Sequence, residues 1–190
     1  MQPTVEEIYG RDALNKGEPW IVPEALLVLK SIIKPTWRVF EWGSGGSTVY
    51  WSRNCASVIS IEHLEQWMPR INAMMTDFQC PANWGIRLVP ADMSVQTEHY
   101  RNYANAILDV EGNFDLIYVD GEATSRGWCL EHALTRVVPG GYLLLDNSNW
   151  LEGHDFGQEW ERQDFVARGL YWIGIAEPFD WWTSLLRKVL

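Results

Sequence analysis

Gly43, Gly45 and Gly46 fall within WGSGGST, directly after the β-rich run RVFE and directly before a segment at 47–53 that starts a helix. Where a strand turns this tightly into a helix, glycine lets the chain bend and lets a ligand reach the backbone with no Cβ in the way. That is how a nucleotide-type site is built. Glu62 closes the next β-rich run, SVISIE, 21 residues after Glu41. From that place a carboxylate takes both hydroxyls of an adenosine ribose. Thr48 stands at the third position of a dinucleotide-type glycine pattern, the loop carries no basic residue for a diphosphate, and Glu41 opens it with a negative charge. Such a charge repels a pyrophosphate and attracts the α-amino group of a methionine moiety, which favours a sulfonium cofactor over NAD. The competing reading is a plain βα loop with Glu62 as a solvated strand-end carboxylate.

A second set of chemically able residues lies further along. Asp120 ends FDLIYVD, and Asp146 and Asn147 end YLLLDN, the two aspartates being 26 residues apart. Ligands of an open α/β sheet lie outside the carboxyl ends of its strands, so these side chains are expected to converge. Three oxygen donors there suit a hard divalent cation such as Mg²⁺ or Ca²⁺. The alternative is that Asp120 caps the cofactor pocket while Asp146 and Asn147 form a polar turn. Trp20, Tyr100, Trp128 and Trp150 are candidates to wall an aromatic or cationic substrate, although ordinary packing explains any one of them equally.

These residues need a frame of alternating strands and helices to bring them together. The spacing of apolar residues predicts a helix over 24–33, opened by Pro23 and stopped by Pro35. Strands follow at 38–41, 57–62, 85–92 (ending at Asp92), 114–120 and 142–147, separated by helices from 47, over 63–78, over 93–110 and over 128–138. A polar helix over 156–168 then precedes two strands, GLYWIGIAE and WWTSLLRKV, joined by so short a turn that they must be antiparallel. The order predicts an α/β, Rossmann-like fold. Its sheet is seven-stranded and mostly parallel, with a C-terminal antiparallel hairpin and helices on both faces.

VFEWGSGGSTVYWS followed by VISIEHLEQW resembles the class I S-adenosylmethionine-dependent methyltransferases, in particular a branch with E-x-G-S-G-x-S-T and S-x-E-H. FDLIYVDG, PGG-YLLLDN and the final hairpin match in order and spacing, so the resemblance spans roughly residues 20 to 188. It implies that Glu41, Gly43, Ser44 and Gly45 face the methionine part of S-adenosyl-L-methionine and Glu62 its ribose. His63 and Asp92 would lie near the adenine, with Asp120 closing the pocket; capping or packing is the simpler role for His63 and Asp92. The D…DN pattern is similar to that of catechol and caffeoyl-coenzyme-A O-methyltransferases, which implies a metal at Asp120, Asp146 and Asn147 and an oxygen acceptor. The chain departs from those enzymes in DGEATSRG, where no lysine base follows Asp120. Methyl transfer needs an aligned nucleophile and a group to take its proton. Asp120, Glu122, His154 and Asp146 are the candidates for catalytic work.

Composition narrows the partners. Fifteen Lys and Arg against 25 Asp and Glu give a formal charge of −10, which repels nucleic acid and anionic membranes, and no [DN]PP[YF] motif follows the fourth strand. A small-molecule substrate is expected. The 190 residues, 47% of them apolar, suit a single domain over 1–190, with 1–35 as a lid or substrate segment. The start MQPTVEEIYG has neither a basic nor an apolar leader region, and no long apolar run follows, so a cytoplasmic location is expected. Cys55, Cys80 and Cys129 are expected to be free thiols. The 12 tryptophans could supply a homodimer interface. Two further functions fit the same pattern: a binding module that holds the cofactor without turnover, and an NAD-dependent oxidoreductase.

Overall fold

The computed structural model describes residues 15–90, 98–172 and 175–190, with 98–100 by backbone alone. Helix α1 (Pro23–Ile32) starts at Pro23, whose fixed φ suits the first helical turn, and gives way before Pro35. Then come β1 (Arg38–Trp42), α2 (Gly46–Asn54), β2 (Ser57–Glu62), α3 (Met68–Asp77) and β3 (Trp84–Leu88). The second half holds α4 (Glu98–Asn105), β4 (Phe114–Val119), α5 (Arg126–Arg136), β5 (Val137–Asp146), β6 (Trp160–Leu170) and β7 (Phe179–Lys188).

The seven strands form one sheet in the order β3-β2-β1-β4-β5-β7-β6. The first five are parallel; β7 inserts antiparallel between β5 and β6, and β6 pairs antiparallel with β7. Both faces are buried, so the central strands read as continuous apolar runs whose side chains alternate between two cores. Leu116 and Tyr118 of β4 point to the core under α1, with Leu29, Trp51 and Leu185, while Ile117 and Val119 point to the core under α5, with Phe40, Trp42 and Leu130. Helix α5 buries Cys129, Leu130 and Ala133, a helically spaced stripe facing the sheet. The Rossmann-like architecture, with its seven strands and antiparallel end, is as the sequence predicts.

One element differs. The helix expected over 156–168 is instead the edge strand β6, and only Gly169 and Leu170 of the expected strand GLYWIGIAE belong to it. Its ladder to β7 runs from Trp160↔Lys188 to Leu170↔Phe179, and burial of Phe165 and Leu170 against the sheet outweighs the local helix preference. The third strand closes at Leu88 rather than Asp92, and Asp92 lies outside the described residues.

Candidate functional site

The strand order reverses between β1 and β4, whose neighbours lie on opposite sides, and the glycine turn stands at the carboxyl end of β1 beside that point. Gly43 has φ +92°, and a Cβ there would lie 2.9 Å from the backbone of Asp120 and Gly121. Only glycine fits this left-handed, crowded position. The Gly43 N–H donates to Ile61 O (2.8 Å), which ties the turn to β2.

Glu41 does not face the cleft. Its carboxylate is fully buried and accepts from Ser47 Oγ (2.8 Å), Trp51 Nε1 (2.9 Å) and Thr48 Oγ1. Thr48 Oγ1 in turn accepts from Gly45 N (3.0 Å). Burial pushes the Glu41 carboxyl up to about 7, although these hydrogen bonds pull against it. Its contribution is to hold the glycine turn on the first turn of α2, in place of the ligand contact expected from the sequence.

The turn opens into a cleft of about 480 Å³ lined by Gly43, Ser44, Gly45, Glu62, His63, Trp67 and others. Glu62 is 2% exposed and accepts from the backbone N–H of Ser44 (3.0 Å), His63 (2.8 Å) and Leu64 (2.8 Å). Burial raises its pKa, but hydrogen bonds from His63, Leu64 and Ser44 outweigh that and hold it below the usual carboxylate value. It is therefore an ionised acceptor. His63 Nδ1 lies 3.2 Å from Glu62 Oε1 without hydrogen-bond geometry and has no other partner among the described residues. Trp67, which sequence reasoning passed over, donates from Nε1 to Ser44 O (2.8 Å) and stiffens the turn from the cleft side.

Asp120 lines this cleft and also a second cavity of about 310 Å³, shared with Trp20, Asp146, Asn147, Trp172, Phe179 and Trp181. Trp20 likewise borders both. Asp120 accepts from Tyr118 Oη (2.8 Å) and Arg126 Nη2 (3.2 Å). Its pKa is raised by burial, with Arg126 and Tyr118 opposing. Asp146 is 4% exposed and accepts from Trp181 Nε1 (3.0 and 3.2 Å) and Thr183 Oγ1 (2.8 Å). Burial, and then the Asp120 charge, push its pKa well above the usual range. Asn147 Oδ1 accepts from Arg126 Nη1 (3.0 Å), which also donates to Asp146 O (2.5 Å).

Asp120, Asp146 and Asn147 thus converge as expected, but the donor set does not fit a divalent ion. The guanidinium of Arg126 already spans Asp120 and Asn147, Asp146 is turned to Trp181 and Thr183, and no cluster of three or more His, Cys, Asp or Glu among the described residues could hold a metal. Arg126 was missed, although RG in DGEATSRG marks a basic residue at the start of the helix after β4.

Two candidate bases are also corrected. Glu122 lines the cleft, but its carboxylate caps the 3₁₀ turn Ala123–Ser125, accepting from Thr124 N, Ser125 N and Ser125 Oγ. Burial would raise its pKa, yet those bonds hold it low, which makes it a weak base. His154 is exposed, packs its ring against Phe156 at 4.6 Å and lines neither cavity. Of the aromatic candidates only Trp20 lines the site; Trp128 and Trp150 do not, and the Tyr100 side chain lies outside the described residues. The three cysteines are free.

Neither a protein-family model nor a curated protein sequence matches the chain. Solved structures do. An rRNA methylase from Streptococcus thermophilus superposes with TM-score 0.64 at 15% identity, covering 85% of this chain and 92% of its own. The O-methyltransferase TomG from Streptomyces achromogenes, in complex with SAM, gives 0.63 at 13% identity, with 94% and 90% covered. A precorrin-8w decarboxylase from Methanobacterium thermoautotrophicum gives 0.61 at 12% identity, with 88% and 90% covered. At such identities the likeness is one of fold, the Rossmann-like fold shared by methyltransferases of this class.

Proposed function

We propose that the chain is an S-adenosylmethionine-dependent methyltransferase acting on a small molecule. The observation that carries this reading is the junction of two cavities at Asp120 and Trp20, one floored by the glycine turn and Glu62, the other by Asp146 and three indoles. The cleft fits the cofactor: Gly43 leaves backbone room that a Cβ would fill, the low-pKa Glu62 is an acceptor for paired hydroxyls, and His63 stands beside it with its Nδ1 3.2 Å from Glu62 Oε1. Gly43, Ser44 and Gly45 would take the methionine end, Glu62 the ribose, and His63 and Trp67 the region beyond. When bound, the cofactor supplies an activated methyl group.

The residues of the second cavity do the rest. Asp120, at the boundary, orients the acceptor while Arg126 fixes its carboxylate, and Asp146, in the wall of the same cavity, is the proton acceptor. No metal takes part in this scheme, and the oxygen acceptor suggested by the D…DN resemblance loses its support with it. A cytoplasmic, small-molecule role agrees with the net charge of −10. Calorimetry with S-adenosylhomocysteine and with NAD tests the reading. Binding of the first and not the second is expected, with Glu62→Ala weakening it by about tenfold or more, because a charge-assisted contact is worth about 1.5–3 kcal/mol. Binding of NAD instead would turn the assignment to an oxidoreductase.

A further inference from the structure

The second cavity carries a feature that the methyl-transfer reading does not require. Trp20, Trp172 and Trp181 stand together: the Trp20 ring is 4.9 Å from that of Trp172 and 6.2 Å, edge-on, from that of Trp181. Phe179 adds a fourth ring to the lining. The polar part of the wall is unequal in charge. Asp120 is ion-paired to Arg126, whereas the hydrogen bonds to the 4% exposed Asp146 carboxylate among the described residues come from the neutral donors Trp181 Nε1 and Thr183 Oγ1, with Arg126 bonded to its backbone carbonyl and reaching the carboxylate through its charge. A buried carboxylate that shares its nearest cation, Arg126, with Asp120 is costly to ionise, and a further cation set against it offsets that cost. Indole faces attract cations more strongly than other rings do, most of all in a desolvated cavity.

We infer that this cavity is an aromatic cage for a small ammonium group, and that the methyl acceptor is an amine delivered to Asp120 as its ammonium form. The inference rests on the methyltransferase reading above. About 310 Å³ accommodates about ten water-sized groups, which suits an amine of similar size rather than a polymer. The balance is simple. The ammonium gives one proton to the Asp146 carboxylate, the freed nitrogen lone pair forms the N–CH₃ bond, and the S–CH₃ electron pair returns to sulfur. The product keeps the positive charge that the sulfonium loses, and Asp146 returns its proton to water. The indole cage therefore holds the substrate and product cations alike, while a neutral phenol or alcohol gains no cation–π attraction from it.

The probes are choline, a quaternary cation that fits the cage, and 3,3-dimethylbutan-1-ol, its neutral isostere, titrated into the full chain with S-adenosylhomocysteine present and followed by tryptophan fluorescence. Choline is expected to bind about tenfold or more tighter than the alcohol. Trp172→Leu should erase the preference and Trp172→Phe retain most of it. Both should keep the wild-type S-adenosylhomocysteine affinity, because Trp172 lines the cage and not the cleft, and Trp172→Phe controls for the packing that Trp172→Leu removes. Asp146→Asn should weaken choline with little effect on the alcohol. Equal affinity for the two probes, or a preference for the alcohol, overturns the cage. In turnover assays with labelled S-adenosylmethionine, transfer to small secondary amines supports the acceptor class, and transfer to phenols but not amines overturns it. If S-adenosylhomocysteine fails to bind at all, the methyltransferase reading falls and the acceptor role with it, whereas a choline result alone leaves that reading standing.

Discussion

Glu41 shows what a buried carboxylate costs when its partners are neutral. Its three hydrogen-bond donors do not repay burial, so the folded protein holds a proton there up to about pH 7 that the unfolded chain releases near 4.5. Because the folded state binds more protons in that window, this group makes stability fall as pH rises from about 4.5 to 7. The full cost of about 3 kcal/mol is present above it. Glu41→Gln removes the titration, so urea titrations from pH 5 to 8 should show a smaller loss of stability with pH for the variant than for wild type. Parallel slopes would refute the assignment. Asp146 is raised as well, its carboxyl pushed above the usual range by burial and by the Asp120 charge, with Thr183, Arg126 and Trp181 opposing. Asp146→Asn should melt above wild type at neutral pH, and neither Mg²⁺ nor a chelator should move the wild-type melt, because Arg126 already occupies the place between the acceptor oxygens. A Mg²⁺-dependent rise that Asp146→Asn abolishes would restore a metal site.

At the scale of elements, one hydroxyl joins three of them. Thr183 on β7 accepts from Val22 N at the start of α1 (3.0 Å) and donates to Asp146 at the end of β5 (2.8 Å). The segment carrying Trp20 is thereby anchored to β7, the strand that carries Trp181, which sets the spacing of the indole wall. Thr183→Val keeps the shape but strands a buried N–H and leaves Asp146 one donor short, a loss of about 2–3 kcal/mol. An unchanged urea midpoint would show that the tie is not needed. Strand β6 is an element of a different kind. It closes the sheet as an edge, and its Glu161, Arg162, Asp164 and Arg168 are what an edge strand uses to discourage pairing with another chain. Those same charges make it read as a polar helix in the sequence.

For the whole molecule, the excess of ten negative charges and the small second cavity point the same way. A protein that grips phosphates needs a basic surface, and its affinity falls steeply with salt. Fluorescence anisotropy with a labelled RNA stem-loop at low ionic strength should show no saturable binding. Binding that weakens with added salt would instead align the chain with the rRNA methylase it resembles in fold. Cofactor binding to the folded state alone should raise the melting temperature, by an amount that grows with concentration and corresponds to about 2.7 kcal/mol at a hundredfold excess over Kd. No described helix is long and apolar enough to cross a membrane.

The parts of this protein legible in its sequence are those set by local rules. The alternation of apolar runs with helical periods implied the parallel sheet, the short final turn implied the antiparallel end, and Gly43 with Glu62 at its fixed spacing marked the cleft, because strand, turn and helix are each written in contiguous residues. What required the folded chain was the assignment of partners. Whether Glu41 faces a ligand or Thr48 and Trp51, whether a metal or Arg126 stands between Asp120 and Asn147, and whether 160–170 is helix or strand all depend on which distant group arrives within hydrogen-bonding reach. Of the aromatic wall the sequence suggested Trp20 but not its partners Trp172 and Trp181, for the same reason. Trp20, Trp172 and Trp181 are scattered over more than 150 residues, and only the insertion of β7 beside β5 brings their rings to one wall.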